Sequence, residues 1–99
     1  MPGQFAAAPI IENITLTDAN KEYPYVFPNG TTHFEFQART SAVVRFAFIT
    51  GIVATPTGDY ATLKADDAYS SFNLWGSQSL TLYLASASAG TIVEIVTWT

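Results

Sequence analysis

From Ser79 to Trp98 the chain changes character at every second residue. Leu80, Leu82 and Leu84 alternate with Thr81, Tyr83 and Ala85, and Ile92, Glu94, Val96 and Trp98 alternate with Val93, Ile95 and Thr97. A helix turns about 100° per residue and would spread these side chains around its axis, whereas an extended strand sends them to two opposite faces. Ser86-Ala87-Ser88-Ala89-Gly90 separates the two runs with small and turn-forming residues, so the pattern predicts a β-hairpin. The leucines must be its buried face. In the second arm Val93 and Ile95 share one face and Trp98 closes the other, so that arm is expected to be covered on both sides, with Trp98 in the core. Glu94 is the single charge of that arm. It is expected to form a partly exposed ion pair with Arg45 or Arg39, or to lie in a subunit contact, because an unpaired buried carboxylate is too costly to persist.

The same period recurs upstream. Asn13 to Thr17 alternates; Tyr23-Pro24-Tyr25-Val26-Phe27 is aromatic and extended, and Pro24, which cannot donate to a ladder, places it at a sheet edge. Pro28-Asn29-Gly30 is the strongest turn signal and predicts a tight hairpin into Thr32 to Ala38, where Phe34 and Phe36 oppose His33, Glu35 and Gln37. Ala42 to Thr50 and Tyr60 to Ala65 are two further strands, separated by the loop Gly51 to Asp59, and Asp66 to Gly76 reads as irregular. With no segment of helical period, the expectation is an all-β chain: an antiparallel β-sandwich or jelly roll of seven to eight short strands. Residues 1–12, interrupted by Pro2, Gly3 and Pro9, read as an extended N-terminal arm, and residues 13–99 as a single β-sandwich domain.

A chain of 99 residues can bury one core. Hydrophobic residues make up 48% of it and charged residues only 12%, about half the usual share, so little charge keeps neighbouring copies apart and a homo-oligomer or particle-bound state is expected. Four basic residues against eight acids give a net charge of −4 with no basic stripe, which argues against a nucleic-acid partner. The absence of cysteine removes a disulfide framework and thiolate metal sites. No run approaches the roughly 20 apolar residues of a membrane-spanning helix, and no membrane partner is expected.

The chemistry-bearing residues are sparse. His33, the one histidine, stands on the wet face of a strand beside Glu35 with no nucleophile motif, and Asp59, Asp66 and Asp67 sit in or beside loops without calcium-loop spacing. No catalytic residue, metal site or cofactor is therefore expected, and the chain is not expected to be an enzyme. Tyr69, Phe72 and Trp75 cluster in one loop, where they could dock on a partner or cap the open end of a sandwich. The arm carries Phe5, Pro9, Ile10 and Ile11 but only one charge, Glu12, and such a segment gains by lying across another surface. Phe5, Pro9, Ile10, Ile11, Tyr69 and Trp75 are the candidate partner-binding residues.

Asp59-Tyr60-Ala61-Thr62-Leu63-Lys64-Ala65, then Tyr69 and Leu74, then Leu80-Thr81-Leu82-Tyr83-Leu84-Ala85-Ser86 and Ala89 to Trp98 resemble small virion proteins of tailed bacteriophages, the β-proteins that decorate the head. The resemblance covers roughly residues 32 to 99 and rests on spaced Leu, Tyr and Trp residues. It implies a capsid decoration or cementing protein on the virion surface, bound in many copies to the major capsid protein or neighbouring virion subunits, with a trimer favoured because shells offer threefold positions. A jelly-roll carbohydrate-binding module is the other reading, with Trp75, Tyr69 and Tyr83 as its stacking platform.

Overall fold

The computed structural model describes residues 8–55, 57–71 and 80–99. Most of the alternating stretches are strands, with that of Ala42 to Thr50 cut short at Ala47: β1 (Ile10–Leu16), β2 (Tyr23–Val26), β3 (His33–Ala38), β4 (Val44–Ala47), β5 (Ala61–Leu63), β6 (Ala68–Ser71), β7 (Thr81–Ala85) and β8 (Thr91–Trp98). They form two antiparallel four-stranded sheets, ordered β1-β8-β3-β6 in sheet one and β2-β7-β4-β5 in sheet two. β2 lies at an edge, where Pro24 costs no ladder bond.

The alternation sorts side chains between the inner and outer faces. Leu16, Phe34, Phe36, Val93 and Ile95 of sheet one meet Tyr25, Val44, Phe46, Leu63, Leu82 and Leu84 of sheet two in one core cluster. Its aromatic centre runs from Tyr25 through Phe27 and Phe34, at centroid separations of 5.1 and 4.5 Å, and Phe36 meets Phe46 edge-on at 5.0 Å.

The expected C-terminal hairpin is not formed: β7 belongs to sheet two and β8 to sheet one. The linker residues spend their hydrogen bonds on other segments. Ser86 Oγ donates to the Val43 carbonyl at 2.8 Å, the Ser86 carbonyl accepts from the Asn20 N–H at 2.7 Å, and the Gly90 N–H donates to the Leu16 carbonyl at 2.7 Å. Gly90 holds φ +81, which favours glycine, and the chain leaves the turn toward the opposite sheet. Pro28-Asn29-Gly30 does turn, with the Thr31 N–H bonded to the Pro28 carbonyl at 3.2 Å, but β2 and β3 also fall in different sheets. Among the described elements only β4 and β5 are sequence neighbours in one sheet.

Three further expectations change. The first strand begins at Ile10, so Ile10, Ile11 and Glu12 belong to β1, paired with Thr97, Val96 and Ile95 of β8. Asp66 to Gly76 contains β6, which pairs with β3. Trp98 is only half-buried: Thr91, Val93, Ile95 and Thr97 take the inner face of β8, and Trp98 lies on the outer one, stacked on His33 at 4.0 Å with the rings 10° apart.

Tyr25, 6% exposed, ends in a polar contact between the sheets, where its hydroxyl donates to Glu12 Oε1 at 2.5 Å. Burial, and then the hydrogen bond to and negative charge of Glu12, push its phenol well above the usual tyrosine range. A raised native pKa means a contribution fully present below about pH 10, the unfolded value, and lost as pH rises beyond it. The melting temperature of the wild-type protein should therefore fall more steeply above pH 10 than that of Tyr25→Phe, as followed by circular dichroism.

Candidate functional site

The two sheets differ in what covers their outer faces. On sheet two, Arg45, Ala47, Tyr83 and Ala85 point away from the core, and the loop after β4 folds back over them. Val53, fully buried, packs on Ala47 and Ala85, with Ile52 and Tyr83 against the same cluster. Arg45 fastens this cover: its Nε donates to the Val53 carbonyl at 2.8 Å and its Nη2 to Asn20 Oδ1 at 2.8 Å. The Glu22 carboxylate accepts from Thr50 Oγ1 at 2.6 Å and from the Gly51 N–H at 2.8 Å. Arg45 is thus a clamp, not the partner of Glu94. Arg45→Ala should free the loop, cost about 2 kcal/mol for the lost charge-assisted bonds, and open residues 50–55 to limited proteolysis.

Sheet one has no such cover among the described residues. Its outer face carries Ile11, Asn13 and Thr15 from β1, Ile92, Glu94, Val96 and Trp98 from β8, and His33, Glu35 and Gln37 from β3. Glu94 accepts from Gln37 Nε2 at 3.1 Å and from Arg39 Nε at 2.9 Å, the partly exposed pair expected from the sequence. The Gln37 hydrogen bond and then that of Arg39 hold its carboxyl below the usual glutamate range. A depression of about 210 Å³ is lined by Ile11, Glu35, Phe36, Gln37, Glu94 and Val96.

The candidate partner-binding residues separate into groups. Pro9, Ile10 and Ile11 come together at the start of β1, all exposed, Ile11 by 67%. Tyr69 is on β6, at the opposite edge of sheet one, with its ring 4.9 Å from Phe46, 5.5 Å from Phe36 and 6.1 Å from Phe34. It flanks the phenylalanine cluster and is 37% exposed. Phe5, Phe72 and Trp75 lie outside the described residues. Of the proposed sugar platform, Tyr83 packs with the Ile52–Val53 cover on sheet two while Tyr69 faces the core from sheet one, so these two rings do not share a surface.

The acids are also dispersed. Asp66, in a left-handed turn with φ +67, accepts from Ser41 Oγ at 2.5 Å, and among the described residues no three His, Asp or Glu side chains converge on a point that could hold a metal. Asp59 rims an apolar concavity of about 330 Å³ beside β4 and β5, lined by Phe46, Phe48, Ile49 and Tyr60. Sequence reasoning missed this concavity because Phe48 and Ile49 read as strand residues, yet β4 ends at Ala47 and leaves both exposed.

No protein-family model matches the chain, and no curated protein matches it. Among solved structures it is similar to the solution structure of a de novo designed double-stranded β-helix, with a TM-score of 0.54 and 20% identity over 94% of this chain and 100% of that one. At that identity the likeness describes the fold alone.

Proposed function

We propose that this protein is a non-catalytic structural subunit of jelly-roll topology that coats an ordered protein shell, the head surface of a tailed-phage virion. The strand orders β1-β8-β3-β6 and β2-β7-β4-β5, with the chain passing from sheet to sheet at nearly every connection, support the jelly-roll assignment, as does the likeness to a double-stranded β-helix. The observation that carries the functional reading is the contrast between the two outer faces. The β4–β7 part of one is covered by the chain's own loop, with Val26 of β2 left 62% exposed beside it, and the other carries no such cover among the described residues and continues at its edge into exposed Pro9, Ile10 and Ile11. A surface of this kind suits attachment to a neighbouring subunit, here the major capsid protein or another copy, as a cementing or decoration protein does. The chemistry-bearing side chains support the same reading through their engagements: Glu94 with Arg39 and Gln37, Asp66 with Ser41, and His33 stacked on Trp98.

Purified protein mixed with undecorated phage heads should co-sediment with them at a fixed number of copies per head. Recovery only in the unbound fraction would overturn the reading. The carbohydrate-binding alternative predicts a hit on a glycan array, and the separation of Tyr69 from Tyr83 gives it no support.

A further inference from the structure

Two sheets have four edges, and three of them carry features that discourage pairing with another chain. β2 is four residues long and contains Pro24, which lacks an N–H. β5 has three residues, and β6 has four and follows directly on Asp66 and Asp67. β1 is the exception. It has seven residues, IIENITL, with no proline, lysine or arginine, and its one charge, Glu12, is already bonded to the Tyr25 hydroxyl. Among the described residues its backbone pairs with β8 alone, on one side. Its first two residues, one on each face, are apolar and exposed, Ile10 by 40% and Ile11 by 67%.

We infer that β1 is a self-association strand, and that its occupant is β1 of a second copy of this chain, antiparallel about a two-fold axis at Asn13. The pattern is complementary to itself in that register. Ile11 faces Thr15 of the second copy on the outer side, Ile10 faces Leu16 and Glu12 faces Ile14 on the inner side, and no like charges stand directly opposite. Only Asn13 meets its own symmetry mate, and amide side chains there can hydrogen-bond to each other. The contact joins the two copies of sheet one into a continuous eight-stranded sheet and leaves their bare outer faces side by side. This rests on the edge of the fold and not on the capsid reading, and a two-fold contact departs from the threefold association that the phage resemblance implies.

The test exploits the cysteine-free sequence. Sedimentation equilibrium of the full chain should give a reversible dimer of the 10.7 kDa subunit. Asn13→Cys should cross-link to a covalent dimer on mild oxidation, whereas Thr62→Cys, exposed on the far edge strand β5, should not. Asn13→Lys sets two lysines against each other at the axis and should weaken the dimer about fivefold or more without lowering the melting temperature measured at dissociating dilution; Asn13→Asp should weaken the dimer likewise, at some cost in melting temperature because it faces Glu94 across the β1–β8 ladder. Mixing the Lys and Asp variants should restore association as a heterodimer. A monomer at all concentrations, a trimer mass, a dimer indifferent to Asn13→Lys, or no rescue on mixing would each overturn the inference. Binding to heads is scored separately, so a failed dimer and a failed attachment are distinguishable.

Discussion

Phe36→Ala is expected to lower the stability of this protein by about 3–5 kcal/mol, a large part of the 5–15 kcal/mol typical of a domain this size. Phe36 is 1% exposed and touches both halves of the core: it meets Phe46 of the opposite sheet edge-on at 5.0 Å and Tyr69 of its own sheet at 5.5 Å. Truncation leaves a cavity whose walls are strands pinned by their ladders, so collapse cannot fill it. The melting temperature should fall by roughly 20 °C, at about 4–8 °C per kcal/mol. Trp98→Ala, by contrast, removes a larger side chain but should cost only about 1–2 kcal/mol, because Trp98 is half-buried and loses chiefly its stack on His33. Thermal denaturation of the two variants side by side checks the ranking; equal losses would mean that the outer face of β8 is covered.

The second large effect separates tethering from folding. Deleting residues 2–8 should leave the melting curve unchanged and lower occupancy on heads through the loss of Phe5, while Pro9, Ile10 and Ile11 remain. Deleting residues 2–11 should also destabilise the fold by about 3 kcal/mol, because Ile10 and Ile11 are paired with Thr97 and Val96, and Glu12, paired with Ile95, becomes the frayed start of the strand. Read from the sequence alone, the longer deletion would remove an extended docking arm, sparing the fold while attachment is lost. If the shorter deletion binds heads at unaltered occupancy, attachment does not run through Phe5 or the rest of residues 2–8.

Most strands and their faces were legible because alternation is local. Phe34 and Phe36, Leu82 and Leu84, and Val93 and Ile95 all point inward as their spacing requires, and Pro24 marks an edge as its missing N–H requires. What a strand pairs with is not local. Leu80 to Trp98 would show the same alternation as a hairpin or as two strands in different sheets; the difference lies in Ser86 and Gly90 bonding to Val43 and Leu16, which no turn composition foretells. β6 was hidden because Ala68-Tyr69-Ser70-Ser71 offers one large apolar side chain, and its strand character comes from lying against β3. The candidate surface was half legible. Ile10 and Ile11 stood out by their hydrophobicity, but that the loop after β4 would cover sheet two, and not sheet one, depends on Val53 and Arg45 closing a contact between a loop and a face that the sequence keeps apart.

The position of β8 also fixes when this protein can fold. β8 is an inner strand of sheet one, between β1 and β3, and it is the last of the eight to be synthesised. Ile10 pairs with Thr97 and Leu16 with Thr91, so β1 leaves the ribosome long before its ladder partner exists. At about 5–20 residues per second the interval is on the order of ten seconds, far longer than the microseconds in which a hairpin could have captured it. During that time the only sequence-adjacent pair available among the described strands is β4 with β5. Sheet one therefore closes after translation of the strands is complete, in a late and long-range step, and the nascent chain carries the apolar edge Ile10 to Leu16 unpaired until then.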